Sequence, residues 1–175
     1  MATAQPMHLK RTSVITLFSM RIVMSTVSLS TGLRTRPFPE GSRITAMQGA
    51  QVIFYPTSIG WHPHEKAQFG AAQLDSWKTI QRAHAVANGI YVAVVNRVGF
   101  EGKPEMGDAG LEFWGNSFVA DPAGQILKEA SNDKQEILVV ECDPAKSEEQ
   151  RRSWPFFRDR RIDAFNPLMQ RWVGE

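Results

Sequence analysis

One cysteine, Cys142, stands in a chain of 175 residues, which excludes an internal disulfide and a cysteine-rich zinc site. Acidic residues are missing altogether before Glu40, while five basic ones (Lys10, Arg11, Arg21, Arg34 and Arg36) fall there. From Glu40 onward fifteen basic residues meet eighteen acidic ones. A body of mild negative charge gives nucleic-acid binding no electrostatic footing. No apolar run reaches the ~20 residues of a membrane-spanning helix, so no membrane partner is expected. The remainder, 42% apolar and 22% charged, is the composition of a globular chain with material for a core. Its length bounds it to one domain, or to part of a larger one.

The pattern is organised around residues 49–60, GAQVIFYPTSIG. Residues 51–55 are a β-branched and aromatic run that predicts a buried strand, ended by Pro56, which has no N–H for a ladder. Thr57, Ser58 and Gly60 then form a polar lip at the strand's C-terminal end, where open α/β sheets usually hold their ligands. Upstream, residues 40–48 predict a short helix with Ser42 as N-cap and Gly49 as its stop. Residues 61–66 and the Gly/Ala/Gln-rich stretch after them read as loop. A helix follows over 74–88, with Asp75 as a cap and Trp77, Ile80, Ala83, His84 and Ala87 at helical spacing. The apolar run 90–95 predicts a strand buried on both faces. It ends in a second lip, Asn96-Arg97-Val98-Gly99, which a right-handed crossover places beside the first.

Residues 100–110 read as loop, 121–124 as a tight turn and 125–128 as its return strand. Residues 136–141 predict a further strand, and Pro144 opens a helix to about Arg152 with Asp143 as its N-cap. From Ser153 the chain interleaves large apolar residues (Trp154, Phe156, Phe157, Phe165, Leu168, Met169, Trp172) with arginines and aspartates. That mixture predicts an arm that packs against something. Residues 1–37 differ in composition from the rest. A misassigned start is expected there, with an organelle transit peptide as the alternative, and residues 21–30 could form a strand.

Other constellations have bland readings. Cys142 follows a strand beside Asp143, which disfavours a thiolate, and is expected to be a small buried hydrophobe. His62, His64 and Glu65 lie within four residues, but Pro63 is expected to hold the two imidazoles apart, so no metal is assigned. His84 is expected to be a hydrogen-bonded packing histidine. The Arg151–Arg152 pair and the arginines at 158, 160 and 161 are expected to form ion pairs or a solvated face.

Taken together and in order, residues 49–60, 115–127 (GNSFVADPAGQIL) and 154–165 (WPFFRDRRIDAF) resemble the C-terminal part of the nitrilase superfamily of carbon–nitrogen hydrolases. Within it they are nearest the amidases of N-carbamoyl amines. The resemblance covers about residues 38–172. It implies an α/β fold, the αββα sandwich of that superfamily, of which this chain would carry about the C-terminal half: an atypical segment over 1–37, then a partial domain over 38–175. It also implies cytoplasmic placement, no cofactor, a small amide or N-carbamoyl amine as substrate, and a homo-oligomer joined through the C-terminal arm.

The family's chemistry uses a cysteine nucleophile, a glutamate base and a lysine that stabilises the tetrahedral intermediate. For a ureido substrate the products are amine, carbon dioxide and ammonia. This sequence keeps the family's Phe38-Pro39-Glu40, but the cysteine position falls on Leu33, or on Gly32 with one inserted residue. Neither forms a thioester, and the glutamate and lysine belong to an N-terminal half not found here. No catalytic residue carries over. The resemblance places Pro56, Thr57, Ser58 and Ile59 along the substrate pocket, with Asn96 at the end of the neighbouring strand. Two readings stand: a carbon–nitrogen hydrolase inactive as this chain, or a non-catalytic fragment or partner of an intact subunit.

Overall fold

The computed structural model describes residues 28–29, 38–103 and 109–173. A five-stranded mixed sheet forms the centre, from β1 (Ser28–Leu29), β2 (Val52–Pro56), β4 (Tyr91–Val95), β7 (Phe118–Ala120) and β8 (Ile126–Glu129), in that spatial order. The first three are parallel and the last two antiparallel to their neighbours. A smaller sheet joins β3 (Gly60–Trp61), β6 (Leu111–Trp114) and β5 (Val98–Glu101). Three helices complete the described residues: α1 (Pro39–Met47), α2 (Pro63–Asn88) and α3 (Pro144–Ser153), with a 3-10 turn at Asn166–Met169.

The alternation of β2 and β4 divides the core in two. Ile53, Tyr55, Val92, Val94, Phe118 and Ala120 face Trp77 and Ala85 of α2 and Ala46 of α1. Val52, Tyr91, Ala93 and Val119 turn the other way, against Val140 and Cys142. Both sides of the central strands are therefore buried, as their unbroken apolar runs imply.

The sequence places β2, β4, the 121–124 turn and α3 correctly. The cap of α3 is as expected, with Asp143 accepting from the Ala145 N–H at 2.9 Å. Four expectations are corrected. First, α2 begins at Pro63, not at 74. Pro63 takes the first helical turn, where no N–H is missed. The weak point inside, Gly70, is braced by Trp61, whose Nε1 donates to the Gly70 carbonyl at 3.0 Å. Asp75 is consequently an interior residue rather than a cap.

Second, α1 begins at Pro39, so Ser42 is no N-cap; it lies inside the helix and donates to the Pro39 carbonyl at 2.9 Å. Third, residues 136–141 form no strand. Leu138, Val140 and Cys142 are buried while Ile137 and Val139 are exposed. The period of two was real, but it records which side faces the core and says nothing of a ladder partner. Fourth, the supposed loop from residue 100 begins inside β5, with Phe100 and Glu101 paired to Glu112 and Leu111. The possible strand over 21–30 lies outside the described residues, except for β1.

Candidate functional site

The lip forms where β2 and β4 end together. The Pro56 register partner is Val95, and the ladder continues one step further, the Thr57 N–H donating to the Val95 carbonyl at 2.7 Å. Ser58 is exposed, while Pro56, Thr57, Ile59 and Gly60 are half-buried. Gly60 starts β3 in so close an approach that a Cβ there would sit 2.1 Å from the Glu112 carbonyl oxygen. No other residue fits without moving the second sheet.

Asn96 holds this lip rather than lining it. Its Oδ1 accepts from the Ile59 N–H at 3.0 Å, and its Nδ2 donates to the carbonyls of Ile59 at 3.0 Å and Gly115 at 3.1 Å. Its own N–H donates to Ser117 Oγ at 3.0 Å, and that hydroxyl donates back to the Asn96 carbonyl at 3.3 Å. The residue is only 1% exposed. Its amide, fully occupied by backbone, makes it a positioning residue.

Beside the lip lies an open hollow of ≈ 520 Å³, walled by Ile59 and Gly60, by Phe69, Gln73 and Trp77 of α2, and by Trp114 of β6. Of the expected pocket residues only Ile59 lines it; Pro56, Thr57, Ser58 and Asn96 do not. Trp114 stacks edge-on against Trp61, with ring centroids 5.3 Å apart, and leans on Trp77 at 5.8 Å. Sequence reasoning missed this wall, because it is assembled from three separated segments, one of them the half of α2 read as loop. The one available signal was the pair of tryptophans on helical and strand faces.

Behind β2, the Tyr55 hydroxyl meets His84 Nδ1 at 3.1 Å. Burial pushes the phenol up to about 12 and pulls the imidazole below its ordinary value of 6.5, against the opposing field of Glu40. Burial thus favours the neutral form of both groups, which share one hydrogen bond. This is the packing histidine the sequence suggested. Asn88 ties α2 to α1 here, donating to Ser42 Oγ at 3.1 Å.

Cys142 is 5% exposed, and burial pushes its thiol up to about 11. It belongs to the opposite face of the sheet from Trp77 and Trp114, so it cannot reach the hollow. His62 and His64 are not held apart as expected: their rings stack with centroids 5.6 Å apart, because Pro63 starts a helix instead of extending the chain. Among the described residues no group of three or more His, Cys, Asp or Glu side chains is placed to hold a metal ion. Arg152, Arg158 and Arg161 form ion pairs with Glu148, Asp159 and Asp163. Leu33 and Gly32 lie outside the described residues.

A carbon–nitrogen hydrolase family profile matches residues 34–152. An N-carbamoylputrescine amidase from Arabidopsis thaliana is 38% identical over 133 residues, covering 75% of this chain and 44% of the relative. A citrullinase from Francisella tularensis is 33% identical over 135 residues, covering 77% and 45%. The crystal structure of a carbon–nitrogen hydrolase from Helicobacter pylori G27 superposes with a TM-score of 0.71 at 40% identity, covering 79% of this chain and 47% of that one. The chain thus spans a little under half the length of these relatives.

Proposed function

Because this chain belongs to the carbon–nitrogen hydrolase family, we propose that its lip and the adjoining hollow form one side of a pocket for an N-carbamoyl amine, and that this polypeptide does not itself turn that substrate over. The reaction class is hydrolysis of the ureido group to amine, carbon dioxide and ammonia. The names of two relatives support the substrate class, since N-carbamoylputrescine and citrulline both carry a ureido group. In this reading Pro56, Thr57, Ser58 and Ile59 shape the rim, and Asn96 fixes its backbone from beneath.

One observation carries the second half of the proposal. The single thiol of the sequence, Cys142, is buried on the far face of the sheet with its pKa raised to about 11. A thioester mechanism needs an accessible thiolate, and Cys142 offers neither access nor ionisation. The test is ammonia release from N-carbamoylputrescine by the purified chain, beside its Cys142→Ala variant. Neither should exceed the buffer blank. Release that disappears with Cys142→Ala would make the thiol a nucleophile after all.

A second reading concerns assembly. Trp154, Leu168, Met169 and Trp172 are 54, 61, 90 and 80% exposed, a density of large apolar groups that soluble surfaces seldom leave uncovered. In this reading the arm joins copies of this chain. Sedimentation should show a dimer or larger, and Met169→Ser with Trp172→Ser should shift it to monomer. A monomeric parent chain would overturn this reading.

A further inference from the structure

The ion pairs of the arm leave a remainder. Asp159 and Asp163 are taken by Arg158 and Arg161 at 2.7 and 2.6 Å, and Glu148 of α3 is taken by Arg152 at 2.7 Å. Three other arginines gather at the same junction of α1, α3 and the arm, and none forms an ion pair among the described residues. Arg43 of α1 lies over the Phe157 ring, its Cζ 4.9 Å from the centroid, and Arg151 lies 5.0 Å from the same centroid. Arg160 reaches α1 from the arm and donates to Met47 Sδ.

Arg151 is the structural member. It closes the end of α2, its Nε donating to the Asn88 carbonyl at 3.1 Å and its Nη2 to the Ala50 carbonyl at 3.3 Å. Arg43 and Arg160 have no such occupation. Arg43 Nη1 and Arg160 Nε are both buried with no acceptor among the described residues. Burial, and then the neighbouring Arg160 charge, press the Arg43 guanidinium below its ordinary range, so the two cations repel each other. Glu40, one turn before Arg43 on α1, pairs with neither in the structure.

Two half-buried guanidiniums held together without a carboxylate among the described residues make a charge that an oxyanion relieves. We infer that Arg43 and Arg160, backed by the Phe157 ring and Arg151, form a binding site for a doubly charged tetrahedral oxyanion of the phosphate type. Arginine forks suit this class because their N–H groups are directed at paired oxygens. Both residues are half-buried rather than sealed in, so an anion from solvent has access to the pair. The site is separate from the lip and does not depend on the reading of that pocket.

The probe is inorganic phosphate at pH 7.5, against sodium chloride and sodium acetate at matched ionic strength. At tenfold excess over its dissociation constant, phosphate should raise Tm by about 3 °C, and chloride should do nothing comparable. Arg43→Gln and Arg160→Gln should each abolish most of that shift, while Arg158→Gln, already ion-paired at the surface, should keep it. Equilibrium dialysis of labelled phosphate gives the same comparison without relying on the melt. Equal stabilisation by phosphate and chloride, or a phosphate effect surviving both substitutions, would overturn the site. An equal response to acetate would reassign it to carboxylates. Self-association lost in Arg160→Gln, with no phosphate effect, would instead make this cluster a subunit contact.

Discussion

Asn96 grips Ile59 at both ends of one residue: its Oδ1 takes the Ile59 N–H and its Nδ2 gives to the Ile59 carbonyl, each at 3.0 Å. A side-chain amide used in this way does the work of a strand neighbour, where the lip has left β2 and has no ladder to follow. Replacing it with alanine leaves the two half-buried Ile59 backbone groups and the buried Gly115 carbonyl without this partner. Asn96→Ala should cost about 3 kcal/mol. Chemical denaturation measures it directly, and Asn96→Asp should be hardly better, because a buried carboxylate cannot donate to two carbonyls.

A second prediction concerns Gly60, whose added Cβ would lie 2.1 Å from the Glu112 carbonyl oxygen. Gly60→Ala must separate β3 from β6, because the obstacle is backbone rather than a mobile side chain. The loss should be about 2–3 kcal/mol, in the range of overpacked cores. Trp114 fluorescence should change in the folded state, since that ring ends β6 and leans on Trp61.

Acid should weaken the fold through His84. Its folded pKa is below the ordinary 6.5, with burial the main cause. The unfolded chain therefore takes up the proton first as the pH falls, and between the two values the unfolded state binds more protons. Stability contributed by neutral His84 is full above pH 6.5 and declines below it, at up to about 1.4 kcal/mol per pH unit. Urea midpoints from pH 7.5 to 5 should show this decline, and His84→Gln should flatten it while retaining a hydrogen-bonding side chain opposite Tyr55.

Cys142 should be silent toward thiol reagents in the native protein. With its pKa near 11, roughly one thiol in a thousand is ionised at pH 8 even before access is considered. Ellman's reagent should register no thiol in the folded chain and one per chain in guanidinium chloride. Rapid native labelling would mean that the segment carrying Val140 and Cys142 opens.

Much of the framework was legible. The β2 and β4 runs are continuous and apolar because both faces are covered, and the 143–144 pair announces α3 by a cap whose mechanism is local. Legibility failed where a local signal had a tertiary answer. Gly70 and its neighbours looked like loop because nothing nearby in sequence shows Trp61 bracing that turn. Residues 136–141 looked like a strand because alternation is visible and an absent ladder partner is not. At the site, Asn96 looked like a rim residue; polarity placed it at a strand end, but only the fold reveals that its amide is fully engaged. The hollow's walls come from the lip, α2 and β6, and no window along the chain contains them together.

Tyr91 begins β4, the middle strand of the large sheet, and its hydroxyl donates to the Asp143 carbonyl and accepts from the Asp143 N–H, each at 3.0 Å. One phenol thus clasps both sides of the residue that also caps α3. Tension applied at the C-terminus would unwind the arm and α3 as far as this clasp before any strand felt it. The same point matters to a protease: cuts beyond Asp143 fall in α3 and the exposed arm, and leave the strands of the central sheet intact.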